Sequence, residues 1–175
     1  MAERGDDVEY FAIPRSATEE EFLAAAKVYA RHVVADHDLS VAVSDLEWEV
    51  STRAKRRAGA VIHADGTPTT IRLTWEAFET NGWGSAAETI RHELIHAHLL
   101  VEHGDASHGP RFERLADELD TARYCEPFAE PRWWVTCRAC GTRMARFRRS
   151  KLVEHPEDYR CGECGGSLSV TAVGD

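Results

Sequence analysis

Two histidines and a glutamate in the middle of the chain have the spacing of a metal-dependent hydrolase. Residues His92-Glu93-Leu94-Ile95-His96 form an H-E-x-x-H motif. On a helix, His92 and His96 lie one turn apart on the same face, so both imidazoles can bind one tetrahedral zinc ion. Glu93 lies beside them and can accept a proton from a water molecule activated by that ion. The motif therefore predicts zinc-dependent hydrolysis with Glu93 as the general base.

A catalytic zinc ion takes a third protein ligand and keeps one position open. His98 follows His96 by two residues and points to another face of the helix, whereas His108 lies where a loop could return to the metal. The extended metzincin pattern requires glycine three residues after the second histidine, and Leu99 stands there. The candidates for the third ligand are His98, His103, His108, Glu113 and Asp117. The candidates for stabilising an oxyanion are His103, Arg111 and Tyr124.

Four cysteines near the C-terminus form a second set of candidate metal ligands. They follow the pattern C-x2-C…C-x2-C, with 20 residues between the pairs: Cys137, Cys140, Cys161 and Cys164. In a chain without an export signal, this pattern favours metal over disulfides. Two tight turns of this kind close a tetrahedral site with no open position, so we expect a structural zinc ion. Iron, as in a rubredoxin-like site, is the alternative for the same ligands. The fifth cysteine, Cys125, is expected to be a small buried apolar residue.

The segment between the two cysteine pairs is strongly basic. Five cations and one aromatic ring within residues 143–151 would suit phosphate contacts with base stacking, and Trp133 and Trp134 add stacking surfaces. The alternative is a solvated strand whose arginines pair with acidic residues of the preceding region. The candidate DNA-contacting residues are Arg143, Arg146, Arg148, Arg149 and Lys151. A further cluster either extends the basic track or forms an exposed loop: Arg53, Lys55, Arg56 and Arg57.

The charge of the chain divides at the start of the cysteine region. The 175 residues carry a formal charge of −9, which alone argues against a nucleic-acid partner. Cut near residue 129, between Pro127 and Pro131, the chain has 13 basic and 24 acidic residues before the cut, or −11, and 8 and 6 after it, or +2. The exclusion of DNA therefore does not hold. With no apolar run near the ~20 residues of a membrane span and no apolar N-terminal segment, we expect a cytoplasmic protein without a membrane partner.

Helix and strand signals place these motifs within a larger first domain. A capping box at residues 16–19 predicts the start of one helix, and a second box at residues 85–88 predicts the start of the helix that carries the histidines. Pro110 suits the first turn of a third helix. Strand character occurs in residues 45–50, 58–63 and 70–75. The turn signal at residues 65–68 joins the last two strands as a hairpin.

Together these residues resemble the SprT/Spartan family of metalloproteases. The resemblance rests on His92-Glu93-Leu94-Ile95-His96-Ala97 followed by Ser107-His108-Gly109-Pro110-Arg111-Phe112. The stretch from Leu46-Glu47-Trp48 through Arg53 to Ala58-Gly59, and then Ile71-Arg72-Leu73, is similar to the strands before the zinc helix in that family. The resemblance covers roughly residues 16–120, and the four-cysteine region is similar to the zinc ribbon of bacterial and archaeal SprT-like proteins. It implies a catalytic zinc bound by His92, His96 and His108, with Glu93 as base.

We therefore predict an α+β fold with two domains. Residues 1–128 form a zincin-like, SprT-like metalloprotease domain with a small antiparallel sheet and the HExxH helix, and residues 129–175 form a four-cysteine zinc ribbon. Two zinc ions per chain follow, one catalytic and one structural. The substrate is implied only by the resemblance: it is protein that is bound or crosslinked to DNA, and its cleavage would be part of DNA repair. The alternatives are a non-catalytic protein of transcription or repair that binds zinc and nucleic acid, and a general zinc peptidase that ignores DNA.

Overall fold

The computed structural model describes residues 6–122 and 128–174. The chain forms two compact units, residues 1–128 and residues 129–175. The first unit contains α1 (Asp6–Tyr10), α2 (Glu19–Asp36), β1 (Glu47–Ser51), β2 (Gly59–Ala64), β3 (Thr67–Thr74), α3 (Trp75–His103) and α4 (Pro110–Glu118). The second contains β4 (Trp133–Cys137), β5 (Arg143–Arg146), α5 (Lys151–Glu154) and β6 (Leu168–Ala172). The predicted α+β class, with an HExxH helix followed by a four-cysteine unit, is confirmed. Among the described residues, no helix is both long and apolar enough to cross a membrane.

Helix α2 begins later than its predicted capping box. The cap residue is Thr18, whose hydroxyl accepts a hydrogen bond from the Glu21 amide at 3.2 Å. The Glu21 carboxylate accepts one in return from the Thr18 amide at 2.7 Å. The prediction of a box at residues 16–19 was therefore wrong by two residues. The Thr18/Glu21 pair has the same chemistry three residues apart, and it satisfies two amides at the helix start.

The sheet of the first unit has the strand order β1-β3-β2. Strands β2 and β3 pair as the predicted antiparallel hairpin, and the turn between them places Asp65 and Gly66 at φ values of 49° and 80°. Strand β1 runs parallel to β3, so the prediction of an antiparallel sheet holds for only one of the two strand pairs. The chain reverses after β1 and again after β2, which gives β1 and β3 the same direction and leaves β2 at one edge.

Helix α3 lies in the centre of the first unit and carries the H-E-x-x-H motif. It extends over Trp75–His103 but is broken at Gly82, whose φ of 80° and ψ of −170° are not helical. The prediction that the helix starts at the box of residues 85–88 was therefore wrong, because residues on both sides of Gly82 are already helical. The side of α3 that faces the core is fully buried at Ile90, Leu94 and Ile95. This packing fixes the opposite side, with the two histidines, toward the cleft.

The second unit is an antiparallel sheet with the order β5-β4-β6. One cysteine pair lies at the end of β4 and the other precedes β6. Among the described residues of this unit, the buried core consists of only four, two of them cysteines: Val135, Cys137, Cys161 and Leu168. So small a core rarely stabilises a domain alone, and a metal cross-link is a common substitute.

Candidate active site and metal centres

Three histidines, His92, His96 and His108, converge and form the three-histidine cluster. The Nε2 atoms of His96 and His108 each lie 3.1 Å from the Nε2 atom of His92. Nitrogens bound to one tetrahedral zinc ion at about 2.1 Å lie about 3.4 Å apart, close to this spacing. The donor set of the cluster therefore fits a zinc ion, as the H-E-x-x-H spacing predicts for its first two members.

The loop after α3 brings His108 back to the helix. Helix α3 ends at Gly104, whose left-handed φ of 64° turns the chain away from the helix axis. In the loop, Asp105 accepts hydrogen bonds at 2.9 Å from both the amide and the hydroxyl of Ser107. Pro110 then occupies the first turn of α4, as predicted. The loop is thereby held at both ends and in its middle, and His108 lies just before the new helix.

Phe112 of α4 packs against all three imidazole rings of the cluster. Its side chain is fully buried, and its ring centroid lies 4.8, 4.7 and 4.5 Å from those of His92, His96 and His108. Close-packed side chains have few alternative rotamers, so this contact restricts the orientation of each histidine. The sequence predicts Phe112 only as an apolar helix position, and its contact with the cluster depends on the return of the loop.

Two histidines of the cluster, His92 and His96, favour the uncharged form that binds metal. Burial lowers the pKa of His92, and burial together with the neighbouring His92 lowers the pKa of His96 to about 4. The Nδ1 atom of His92 lies 2.9 Å from the Ala122 carbonyl oxygen, so in the neutral ring Nδ1 donates and Nε2 is free to bind a metal. Neutral imidazole with an unprotonated Nε2 is the ligand form that zinc requires.

Glu93 lies beside the cluster and is almost entirely buried, with 5% of its surface exposed. Burial raises the pKa of its carboxyl to about 8, although the backbone amide of Val61 and the charge of Arg57 act in the opposite direction. A cation bound at the histidines would further favour the carboxylate. Gly59 permits this arrangement, since a Cβ atom there would lie 2.9 Å from both Cγ and Oε1 of Glu93. Strand β2 thus packs directly on the predicted base.

One cleft of about 470 Å³ contains the three histidines and Glu93. Strand β2 forms one wall with Gly59, Ala60 and Val61, and the segment around Ala122 forms another. Such a volume is in the usual range of ligand-binding clefts. The cluster is therefore accessible from one side, as a catalytic metal with an open position requires.

The remaining candidates for the active site lie elsewhere. His98 accepts a hydrogen bond at 3.0 Å from the amide of Ser40 and is outside the cluster. His103 and Arg111 line a separate cavity of about 90 Å³, and Tyr124 is outside the described residues, as is Cys125. The other two candidates for the third ligand, Glu113 and Asp117, are exposed on α4 and do not join the cluster.

The four-cysteine cluster, Cys137, Cys140, Cys161 and Cys164, is the second candidate metal centre. The Sγ atoms of Cys137 and Cys164 are 3.5 Å apart, and those of Cys140 and Cys161 are 3.7 Å apart. Sulfurs bound to one tetrahedral zinc at about 2.3 Å lie about 3.8 Å apart. Hydrogen bonds from the Cys140 and Ala139 amides lower the pKa of Cys137, and those with Thr142 lower that of Cys140 to about 6. A hydrogen bond with the Gly166 backbone acts in the same direction on Cys164, but the neighbouring thiols of Cys140 and Cys137 raise its pKa to about 12. The cluster therefore fits a metal that binds four thiolates.

The backbone at Gly166 lies close to two of the four sulfurs, those of Cys137 and Cys164. At Gly166 a Cβ atom would lie 2.9 Å from the Cys137 sulfur and 2.7 Å from the Ala139 side chain. With four thiolates as ligands and the backbone close to two of them, this centre leaves no position for a substrate. It differs in this respect from the three-histidine cluster.

The predicted DNA-contacting residues have different environments within the second unit. Arg143 is exposed and stacks its guanidinium 4.3 Å from the ring centroid of Trp134. Arg146 is partly buried and donates to the carbonyl oxygen of Ala145 at 3.0 Å. Arg149 pairs with Glu154 at 3.2 Å, with both side chains largely exposed. Arg148 and Lys151 are exposed.

The basic cluster of the first unit is an exposed loop, one of the two predicted possibilities. Lys55 forms an ion pair with Glu76, which fixes part of the loop to α3. Arg53, Arg56 and Arg57 are exposed, and the last two line the cleft that contains the three histidines. Positive charge therefore lies at the mouth of the cleft in a unit that is acidic as a whole.

Several groups near the three-histidine cluster were missed by sequence reasoning. The backbone groups of Val61 and Ala122 hold Glu93 and His92, and backbone groups have no signature in the sequence. Glu88 lines the cleft and accepts a hydrogen bond at 2.8 Å from the Ala122 amide. The sequence predicts Glu88 as part of the capping box of residues 85–88, whereas its carboxylate bonds Ala122 instead. Its position one helical turn before His92 is the signal that could have placed it near the cluster.

Comparison with known proteins gives consistent matches. The sequence model of the SprT-like family matches residues 24–131. The chain is 35% identical over 96 residues to "Protein SprT-like" of Streptococcus suis, covering 53% of this chain and 64% of the relative. For "Protein SprT-like" of Oceanobacillus iheyensis the identity is 37% over 84 residues, covering 45% and 53%. For that of Streptococcus thermophilus it is 27% over 143 residues, covering 76% and 93%. The chain thus spans between half and two thirds of the first two relatives.

Proposed function

The chain belongs to the SprT-like family, and from this premise we propose that it is a zinc metalloendopeptidase that cleaves proteins bound or crosslinked to DNA. One observation carries the peptidase assignment. The Nε2 atoms of His96 and His108 each lie 3.1 Å from the Nε2 atom of His92. These three histidines and the buried Glu93 line one cleft. Metal-dependent peptide hydrolysis needs these parts together: a metal site, a base and room for the substrate.

The residues of the cleft divide the chemistry of peptide hydrolysis among them. A zinc ion held by the three histidines would supply Lewis acidity, which acidifies water and polarises the peptide carbonyl. Glu93 takes the proton from the attacking water on its carboxylate and passes it to the amine as the C–N bond breaks. Val61 keeps that carboxylate oriented through its amide, and Phe112 and Ala122 keep the rings oriented. Water supplies both the nucleophile and the proton, so no covalent enzyme intermediate is needed.

The cleft suits an extended polypeptide better than a compact small molecule. Its wall is β2, an edge strand that pairs within the described residues only with β3. Small side chains predominate along this wall and opposite it, at Ala58, Ala60, Ala106 and Ala122. Small residues leave room for the backbone of a substrate to approach, and an edge strand offers it hydrogen-bonding groups.

The DNA part of the proposal rests on the family resemblance and on the charge of the second unit. Arg143 and Trp134 form a cation–π pair on one face of the β5-β4-β6 sheet. By the alternation of strand side chains, this face is opposite the one that carries Val135 in the core. Exposed Arg148 and Lys151 add charge. An arginine, a tryptophan and neighbouring cations are the groups that contact phosphates and bases of nucleic acid.

Cleavage of a DNA-binding protein, with and without DNA, tests both parts of the proposal. We expect the wild-type chain with zinc to cleave the substrate faster when DNA is present, and the gain to disappear as salt rises. The Glu93→Gln variant is the matched control, because glutamine keeps the shape and removes the base. Cleavage that is the same with and without DNA at every salt concentration would contradict the DNA part. No cleavage under any condition, together with zinc and DNA binding, would favour a non-catalytic binding protein.

A further inference from the structure

A short segment after α4 crosses the outside of α3 next to the three-histidine cluster. We call residues 120–122 the strap. It begins at Asp120, which adopts a left-handed φ of 49° and so redirects the chain after the helix. Thr121 and Ala122 line the catalytic cleft. The strap therefore forms part of the wall of the active site.

Each residue of the strap is hydrogen-bonded to α3. The Asp120 carbonyl oxygen accepts from the Arg91 guanidinium at 2.7 Å. The Thr121 hydroxyl donates to the Glu88 carbonyl oxygen at 3.0 Å. The Ala122 amide donates to the Glu88 carboxylate at 2.8 Å. Two residues of one turn of α3, Glu88 and Arg91, thus hold the strap just before His92.

The last contact of the strap is with a predicted metal ligand. The Ala122 carbonyl oxygen lies 2.9 Å from Nδ1 of His92. Ala122 therefore donates its amide to the Glu88 carboxylate and accepts a hydrogen bond from the His92 ring at its carbonyl oxygen. A peptide group fixed on one side by a carboxylate presents its neighbouring carbonyl in one direction. A fixed acceptor at Nδ1 keeps the proton there and leaves Nε2 for the metal.

We propose that Glu88 is a positioning residue of the metal centre, which acts through Ala122 to set the orientation and tautomer of His92. The inference rests on the proposed zinc site but adds to it a side chain that is not one of the metal ligands. The Glu88 side chain is only partly exposed, so its bond to the Ala122 amide is shielded in part from water. Outer partners of this kind typically change metal affinity by about 10- to 100-fold.

The test compares Glu88→Ala, Glu88→Gln and Glu102→Ala. Alanine removes the acceptor for the Ala122 amide, whereas the glutamine amide oxygen keeps it and removes only the charge. Glu102 is an exposed acid near the end of the same helix and serves as the matched control. The Thr121 and Arg91 contacts remain in every variant, so the strap keeps two of its bonds to α3.

Two readouts separate positioning from a loss of folding. Chelator competition measures the affinity of the three-histidine cluster for zinc in the absence of substrate. Nitrogen NMR of the metal-free protein shows which ring nitrogen of His92 carries the proton. We expect Glu88→Ala to bind zinc about tenfold or more weakly and to populate the Nε2-protonated ring. Glu88→Gln and Glu102→Ala should stay within about threefold of the wild type and keep the Nδ1 proton, and all variants should melt at similar temperatures.

Three results would overturn the inference. Wild-type zinc affinity and tautomer in Glu88→Ala would show that Ala122 needs no help from Glu88. An equal loss in Glu102→Ala would point to the overall charge of the helix rather than to the strap. A loss of affinity in Glu88→Ala with an unchanged His92 tautomer would separate Glu88 from His92. In each case, zinc binding by the unsubstituted chain would leave the proposed function standing. If the unsubstituted chain did not bind zinc, the proposed function and the inference would both be refuted.

Discussion

The two candidate metal centres of this chain have the same expected ion and opposite surroundings. The three-histidine cluster lies at the base of a cleft of about 470 Å³ with a buried glutamate beside it. The four-cysteine cluster has sulfurs 3.5 and 3.7 Å apart, and the backbone of Gly166 lies close to two of them. Three neutral histidines leave a zinc ion its positive charge and one open coordination position. Four thiolates offset that charge and occupy all four positions. The ligand set thus predicts reaction at one centre and structural support at the other.

The cores of the two units differ in the same way. Around α3 the first unit buries large side chains, among them Phe22, Phe78 and Phe112, and needs no metal to form its interior. Within residues 129–174, the second unit buries only four residues, two of which are metal-ligand candidates. Loss of metal should therefore unfold the second unit but only inactivate the first. The predictions below test this contrast, from the largest expected effect to the smallest.

The largest effect is expected at the four-cysteine cluster. Cys161→Ser should remove one zinc ion per chain and unfold residues 129–175, because structural zinc contributes about 10–16 kcal/mol in small domains. Amide NMR spectra should lose the dispersed signals of this unit, while cleavage of a peptide without DNA continues. Glu163→Gln, in the same turn but with no metal-ligating role, is the control. A folded second unit in Cys161→Ser would show that its core is sufficient without metal.

Removing the third histidine should inactivate the first unit without unfolding it. His108→Ala should lower cleavage by more than ~100-fold, since losing a ligand exceeds the cost of losing an outer partner. Zinc content should fall from two ions per chain to one, and the melting temperature of the metal-free protein should change little. His103→Ala, at an exposed histidine that ends α3 and lies outside the cleft, should behave like the wild type. Full activity in His108→Ala would point to a different third ligand.

The contact between β2 and the predicted base gives a smaller effect that is still specific. Gly59→Ala would place a methyl group against Glu93 and Thr89, at a cost of about 1–3 kcal/mol of folding free energy. Displacement of Glu93 should also lower kcat, by up to ~100-fold for a shift of about 1 Å. Chemical denaturation and steady-state kinetics measure the two effects. Gly84→Ala in α3, where nothing lies within 4 Å, should leave kcat unchanged.

The smallest expected effect concerns DNA. Arg143→Ala should weaken binding and reduce the slope of log K against log salt by about 1, as for one lost phosphate contact. Arg146→Ala should change it less, because the Arg146 guanidinium is bonded to its own strand. Fluorescence anisotropy across a salt series measures both. Equal effects of the two substitutions would contradict the assignment of the Trp134–Arg143 face, and zinc content should stay at two ions in each variant.

Features that depend on neighbouring residues were predicted from the sequence more accurately than features that depend on distant parts of the chain. The strands of the first unit and the hairpin turn depend on neighbouring residues, and the structure has them near the predicted positions. Both capping boxes were misplaced because a serine with a glutamate three positions along does not show whether that serine lies before, at or after the start of a helix. At Gly82 the break in α3 depends on a single glycine, which the box at residues 85–88 obscured.

Prediction of the site from the sequence was limited in the same way, because spacing within one helix was informative and contacts between distant segments were not. The i, i+4 spacing of His92 and His96 is enough to bring them together, and a family resemblance was needed to choose His108 among five candidates. The direction of β1 was not predictable, because pairing with β3 depends on the path of the whole hairpin. The supports of the site are backbone groups of Val61 and Ala122, and any residue type supplies those groups. Only the folded chain reveals them.

The most direct test of the central claim measures cleavage and zinc content in the same sample of Glu93→Gln. Glutamine can still accept from the Val61 amide but cannot take a proton from water. We predict two zinc ions per chain, as in the wild type, and cleavage reduced by about 10²- to 10⁴-fold. Cleavage at the wild-type rate with both ions present would contradict the account, because the buried glutamate beside the three histidines would then have no part in the reaction.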